Sequence, residues 1–228
     1  MTARHDRSLS RWPSRRYSCM TLSERGRMSI DGWAEASAEI LAGITHAMGT
    51  RVSTVSSIAQ FMQSGDIDLV PMGDLLAGES VRLEELLDAL RLLSAPEGQG
   101  EQPFTLHDFL AETSRVLCYH PRFRGGLPAL VANQMIPPVI ADVDGLRRAM
   151  IVALLELGRE GGAMTMHAAA EDDSVTLSVF TDGACALERE GAIRSCLGVL
   201  ATRAGAELLD SPLVSLRLRA MSARRPVS

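Results

Sequence analysis

The chain has 228 residues, 46% hydrophobic and 22% charged, which fits one large or two small globular domains and excludes a disordered chain or a coiled-coil rod. The longest apolar run, Ala149–Leu155, falls far short of the roughly 20 residues of a membrane span. All 23 basic residues are Arg, so chemistry that needs a Lys (the P-loop, the protein-kinase strand Lys, Schiff bases) is excluded.

The net charge of −5 is unevenly spread. Residues 1–28 carry seven Arg against Asp6 and Glu24, and residues 217–228 carry four Arg and no acid, so the stretch between them is strongly acidic. An acidic body argues against nucleic acid as the main ligand, because phosphate contacts need a basic face. The four cysteines, Cys19, Cys118, Cys185 and Cys196, show no C-x-x-C spacing and read as reduced thiols of a cytoplasmic protein.

Residues 1–28 read as a basic disordered tail. Ser14-Arg15-Arg16-Tyr17-Ser18 resembles the start of a twin-arginine export signal, but Ser23-Glu24-Arg25-Gly26-Arg27 follows instead of an apolar stretch, so export is not expected. Residues 29–95 read as a helical hairpin. Over 33–63 there is no Pro, and Leu41, Ile44, Met48, Arg51, Val55, Ile58 and Met62 follow steps of three and four. After a turn at Ser64–Asp68, Pro71 opens a second helix, where Met72, Leu76, Glu79, Leu83, Leu86, Leu90 and Leu93 repeat the spacing. Arg51 and Glu79 are the polar intruders at comparable distances from the turn, either an ion pair or two unrelated surface charges. One hairpin cannot cover both sides of its apolar stripe. A second copy would make a dimeric four-helix bundle; docking on the rest of the chain is the alternative.

A linker at 96–102 leads to an α/β unit over 103–221, followed by a tail at 222–228. Phe104–Leu106 is predicted as a strand, and His107–Cys118 as a helix burying Phe109, Leu110, Thr113, Val116 and Leu117. Leu127–Ala132 and Pro138–Ala141 are strand-like, and Asp142-Val143-Asp144 can cap an apolar helix through about Leu157. Ala163–Ala169 and Val175–Phe180 alternate as a hairpin around Glu171-Asp172-Asp173. A helix over Ala192–Ala204 stops at Gly205, and a strand pair covers Ala206–Leu209 and Val214–Leu218. The fold class is α+β, a layered α/β sandwich behind a helical hairpin.

Two segments carry a family resemblance. Ile44-Thr45-His46-Ala47-Met48-Gly49-Thr50-Arg51-Val52 resembles the phosphoacceptor box of two-component histidine kinases, and Pro137 to Arg148 resembles the run into their ATP-binding helix. The resemblance covers roughly residues 35–220 and implies a hairpin dimerisation domain plus a kinase-type ATPase sandwich. It also shows where the chain departs from the kinases. The two Asn of the ATP-binding helix, one of them holding magnesium, fall on Val152 and Glu156. The first glycine box reads Thr181-Asp182-Gly183-Ala184-Cys185, with Thr181 in the adenine place and Cys185 replacing a Gly. About ten residues then replace the ATP lid and second glycine box. An eroded ATPase behind such a hairpin is similar to the dimeric histidine phosphotransferases of phosphorelays. That resemblance implies a homodimer, receiver domains of response regulators as partners, His46 as phosphoacceptor, Thr50 in a water-orienting or supporting place, and no cofactor of its own, with magnesium coming from the receiver. The alternatives are a catalytically dead adaptor or inhibitor of a receiver or kinase and, further off, a divergent ATP-dependent kinase.

From the residues alone, His46 falls at the outermost f position if Leu41 and Ile44 are a and d. Ala42, Gly43, Ala47 and Gly49 form a small collar that leaves room for a partner, and an exposed imidazole near its reference pKa of about 6.5 is largely neutral at pH 7. A solvated surface His without a role is the plain alternative. Ala47 stands where the kinases carry an acid, and Arg51 where they carry Pro. His107, His120 and His167 have no second ligand at metal spacing, and no metal site is expected. Arg122 and Arg124 flank Phe123 as an anion grip or a solvated turn.

Overall fold

A computed structural model describes residues 22–64, 69–96, 98–132, 134–159, 162–181, 190–209 and 214–221. Helix α1 runs over Leu22–Ser64 and α2 over Leu69–Ser94, antiparallel and in contact. Most of the heptad stripe faces inward: Ile44, Ile58, Leu86 and Leu93 are buried, and Met48, Val55, Met72, Leu76, Leu83 and Leu90 half-buried, while Leu41 and Met62 are exposed. Both starts precede the expected ones. Nothing between Leu22 and Trp33 blocks helix, so α1 reaches back into the segment read as tail. Pro71 lies in the first turn of α2, where its missing N–H is not needed. Residues 1–21 and most of the Ser64–Asp68 turn lie outside the described residues.

Strand β1 (Gln102–Phe104) ends two residues before the expected boundary, and Thr105 then caps α3 (Leu106–Leu117). Its Oγ1 accepts from the Asp108 amide at 3.1 Å and donates to the Asp108 carboxylate at 2.7 Å. The α3 residues expected inside are all buried. A 3-10 turn at Pro121–Phe123 follows, with Phe123 buried. Then come β2 (Leu130–Ala132), β3 (Val139–Ala141), α4 (Val143–Arg159), β4 (Met164–Glu171), β5 (Ser174–Thr181), α5 (Glu190–Arg203), β6 (Glu207–Leu208) and β7 (Val214–Ala220). Asp142 caps α4, accepting from the amides of Asp144 at 3.2 Å and Gly145 at 3.4 Å. Gly205, at φ +76°, turns the chain out of α5.

The seven strands form one mixed sheet in the order β1-β3-β7-β5-β4-β2, with β6 also paired to β7; only β2–β4 is parallel among these pairs. The inward residues of β4, β5 and β7 (Met166, Val175, Leu177, Leu216) share one buried cluster with α4, which lies against β5 and is buried along nearly its whole length. This core does not end at the linker. Ala36, Ile40 and Ile44 of α1 and Leu86, Ala89 and Leu93 of α2 belong to it, because α1 lies against α4 and α5 while α2 lies against α3. The upper half of the hairpin thus docks on its own chain.

Candidate functional site

His46 is exposed on α1. Below it runs a shallow, wide-open groove lined by Thr45, His46, Gly49, Thr50, Ser53, Thr54 and Ser57, all on α1. Helix geometry explains the groove: steps of three or four bring His46, Thr50, Ser53, Ser57 and Phe61 onto one stripe. The hydroxyls fold back on the helix, Thr50 Oγ1 donating to the His46 carbonyl at 3.1 Å, Thr54 to Thr50 at 3.0 Å and Ser57 to Ser53 at 3.0 Å. What faces outward is therefore low and smooth, and it ends at an exposed Phe61. Thr50 turns its proton to the backbone rather than to the imidazole, leaving only oxygen lone pairs for any water it orients.

The small collar separates into two kinds of residue. Ala42 is exposed, and a Cβ on Gly49 would meet nothing within 4 Å. A Cβ on Gly43 would overlap the Tyr119 carbonyl oxygen, and Ala47 packs against the core. The expectation that all four leave room for a partner is corrected at Gly43 and Ala47: they admit the chain's own α/β unit, which walls the acceptor on one side.

Arg51 and Glu79 do pair, at 3.4 Å, and Arg82 binds the same carboxylate oxygen. Glu79 is 6% exposed, and its other oxygen is buried without a hydrogen-bond partner.

The eroded nucleotide positions are dispersed or engaged. Val152 is buried in α4 among core side chains, and Glu156 pairs with Arg159 at 3.1 Å. Thr181 closes β5, half-buried, while Asp182, Gly183 and Cys185 lie outside the described residues. Among the described residues no group of three His, Cys, Asp or Glu gathers as a metal site, and no helix is long and apolar enough to cross a membrane.

A charged cluster between the hairpin and the α/β unit has no local signature in the sequence. Arg159 reaches Glu35 at 2.7 Å and Glu39 at 2.9 Å on α1; burial pulls its guanidinium down, but the Glu35 hydrogen bond, the Glu156 charge and the Glu39 hydrogen bond together hold it above the ordinary value. His120, read as a helix-end residue, is buried. Its Nδ1 accepts from the Arg122 amide at 3.3 Å, and its Nε2 lies 3.2 Å from Glu39, so one neutral tautomer serves both contacts. Glu35 and Glu39 share a face of α1, but their partners lie more than 80 residues away and left no local signal. Arg122 donates to the Arg159 carbonyl at 3.1 Å, so this flank of Phe123 is structural rather than an anion grip. His107 is exposed at the start of α3, and His167 meets the Phe180 ring edge-on at 5.1 Å.

No protein-family model matches the chain, and no curated protein matches its sequence. Solved structures do match over most of its length. One is the histidine kinase AdeS of Acinetobacter baumannii, at 12% identity and TM-score 0.40, covering 77% of this chain and 96% of that one. A bacterial phosphotransferase matches at 11% identity and TM-score 0.36, covering 90% and 98%. The histidine kinase ThkA, solved in complex with the response regulator TrrA, matches at 15% identity and TM-score 0.42, covering 89% and 67%.

Proposed function

We propose that this chain is a phosphorelay histidine phosphotransferase that takes a phosphoryl group from a receiver aspartyl phosphate onto His46 and hands it to another receiver without using ATP. The observation that carries this reading is an exposed imidazole at the head of a smooth groove on a rigid helix, with an apolar side chain at its foot. Phosphoryl transfer is mainly positioning and charge neutralisation. An imidazole nitrogen attacks phosphorus in line, the acyl-phosphate P–O bond breaks, and the receiver carboxylate leaves with the electron pair. The receiver brings its own magnesium, so this chain supplies only the nucleophile and the docking face. The groove from Thr50 to Ser57 admits a partner element at close range, and Phe61 offers it an apolar anchor. Against ATP stand Val152 inside the core and Glu156 held by Arg159.

One observation favours the adaptor reading: Ala47, where the kinases carry an acid, packs inward, so no carboxylate on that residue assists the imidazole. An aspartyl phosphate is a more reactive donor than ATP, and a neutral imidazole needs no base. Incubation with phosphorylated receivers separates the readings. Acid-labile phosphate should appear on the wild type and be absent from His46→Ala; equal labelling of the variant would overturn His46 as the acceptor, and no labelling of the wild type by any receiver would establish the adaptor.

A further inference from the structure

The contacts between α1 and the α/β unit form a device that goes beyond the acceptor chemistry. Gly32 and Gly43, 11 residues and about three turns apart, lie on one face of α1 and act as notches. A Cβ on Gly32 would stand 2.8 Å from the Cys196 sulfur of α5, and one on Gly43 would overlap the Tyr119 carbonyl after α3. Glycine in a helix costs about 1 kcal/mol relative to Ala, a cost these close approaches account for. Between the notches, Glu35 and Glu39 grip Arg159 at the end of α4, and Glu39 also meets His120. Trp33 stacks on the Arg148 guanidinium at 5.1 Å, and Arg148 itself holds the Ala95 carbonyl where the hairpin ends. Asp142 takes the Gly98 amide at 2.7 Å, so the linker is pinned as well.

We propose that residues 32–43 of α1 are an intramolecular latch that holds the α/β unit against the hairpin and covers the α4–α5 face beside Glu156. The occupant of that face is the chain itself. Glu156 pairs with Arg159, and Arg159 in turn pairs with Glu35 and Glu39 of α1. Cys196 lies beneath Gly32, and its thiol is raised by burial first and by the nearby Glu156 charge second. The latch makes hairpin and α/β unit one body. The wall beside His46 is then fixed.

Cys196 reports the latch directly. The host is the full chain with Cys19, Cys118 and Cys185 changed to Ser. N-ethylmaleimide should label Cys196 at least tenfold more slowly in the folded protein than in urea. Gly43→Leu, which wedges the joint, should raise the native rate at least tenfold, whereas Gly49→Leu, which points into open space, should leave it unchanged. A Gly43→Leu chain that does not fold leaves a second measurement. The distance from a Gly32 Cβ to the Cys196 Cβ is 3.9 Å, inside the range of a disulfide. Gly32→Cys in the same host should therefore form that disulfide in most molecules under mild oxidation, read by mass spectrometry. No cross-link, or native labelling as fast as in urea, overturns the latch. Neither readout involves His46 chemistry, so the phosphotransfer reading stands or falls separately.

Discussion

Gly43 and Gly49 look alike in the sequence, two helix-weakening residues on either side of His46, and they do opposite things. Nothing opposes a side chain at Gly49, so Gly49→Ala should stabilise the fold by up to about 1 kcal/mol through helix propensity alone. At Gly43 the same change drives a methyl into the Tyr119 carbonyl, and the strain should outweigh that gain and destabilise the protein. Urea denaturation of the two variants gives opposite signs; two stabilised proteins would show that the Tyr119 contact yields easily. His46 itself is exposed, so His46→Ala should shift stability by no more than about 0.5 kcal/mol while removing labelling. The exposure of His46 was legible from its f position, because the register of a helix is local. The function of Gly43 was not, because its neighbour lies 76 residues further on.

The elements were legible where local patterning fixes them. Heptads placed α1 and α2, period-two alternation placed β4 and β5, and Asp142 and Gly205 marked helix ends through capping chemistry. The missed helix start at Leu22 shows the converse: a charged, Arg-rich segment without Pro is as compatible with helix as with a disordered tail. Distance from the turn was enough to set Arg51 opposite Glu79, since antiparallel helices of equal pitch pair residues symmetrically about their loop. The energetic sign of that pair is less obvious. Glu79 is nearly buried, one oxygen shared by Arg51 and Arg82 and the other orphaned. Removing Arg51 strands more of the buried charge, so Arg51→Met should cost about 1–3 kcal/mol. The double variant Arg51→Met/Glu79→Leu removes both charge and orphan and should recover most of that loss. Thermal unfolding of both checks it, and a double variant weaker than the single would mean that the carboxylate stabilises the hairpin by itself.

At the scale of the molecule, burial sets a pH limit and leaves an apolar face of the hairpin uncovered. The thiols of Cys118 and Cys196 and the Tyr119 phenol are all raised, chiefly by burial, so the unfolded chain gives up these protons first. Stability from this source is full below the ordinary thiol value of about 8.5 and falls as pH rises past it. The melting temperature should decline from pH 8 to 10, and Cys196→Ala should flatten part of the decline. The interface follows from what the α/β unit leaves uncovered. Of the ten exposed large apolar side chains among the described residues, seven belong to the hairpin. Leu41, at the uncovered edge of the heptad stripe, and Val52, about three turns further on, share one face of α1, and Leu87 on α2 lies beside the half-buried Leu76 and Leu83, whose outer sides stay open. This face points away from the docked unit, since α1 presents Gly32, Ala36 and Gly43 to α5 and α3 on another side. Apolar surface is worth about 25 cal/mol per Å2 on burial, and a second hairpin packed by two-fold symmetry covers both stripes at once. The wild type should therefore scatter light as two chains at micromolar concentration. Val52→Glu or Leu87→Glu, each placing a charge in that seam without touching the α/β core, should give a monomer that still melts cooperatively. A wild type that is already monomeric would leave the seam to a different partner.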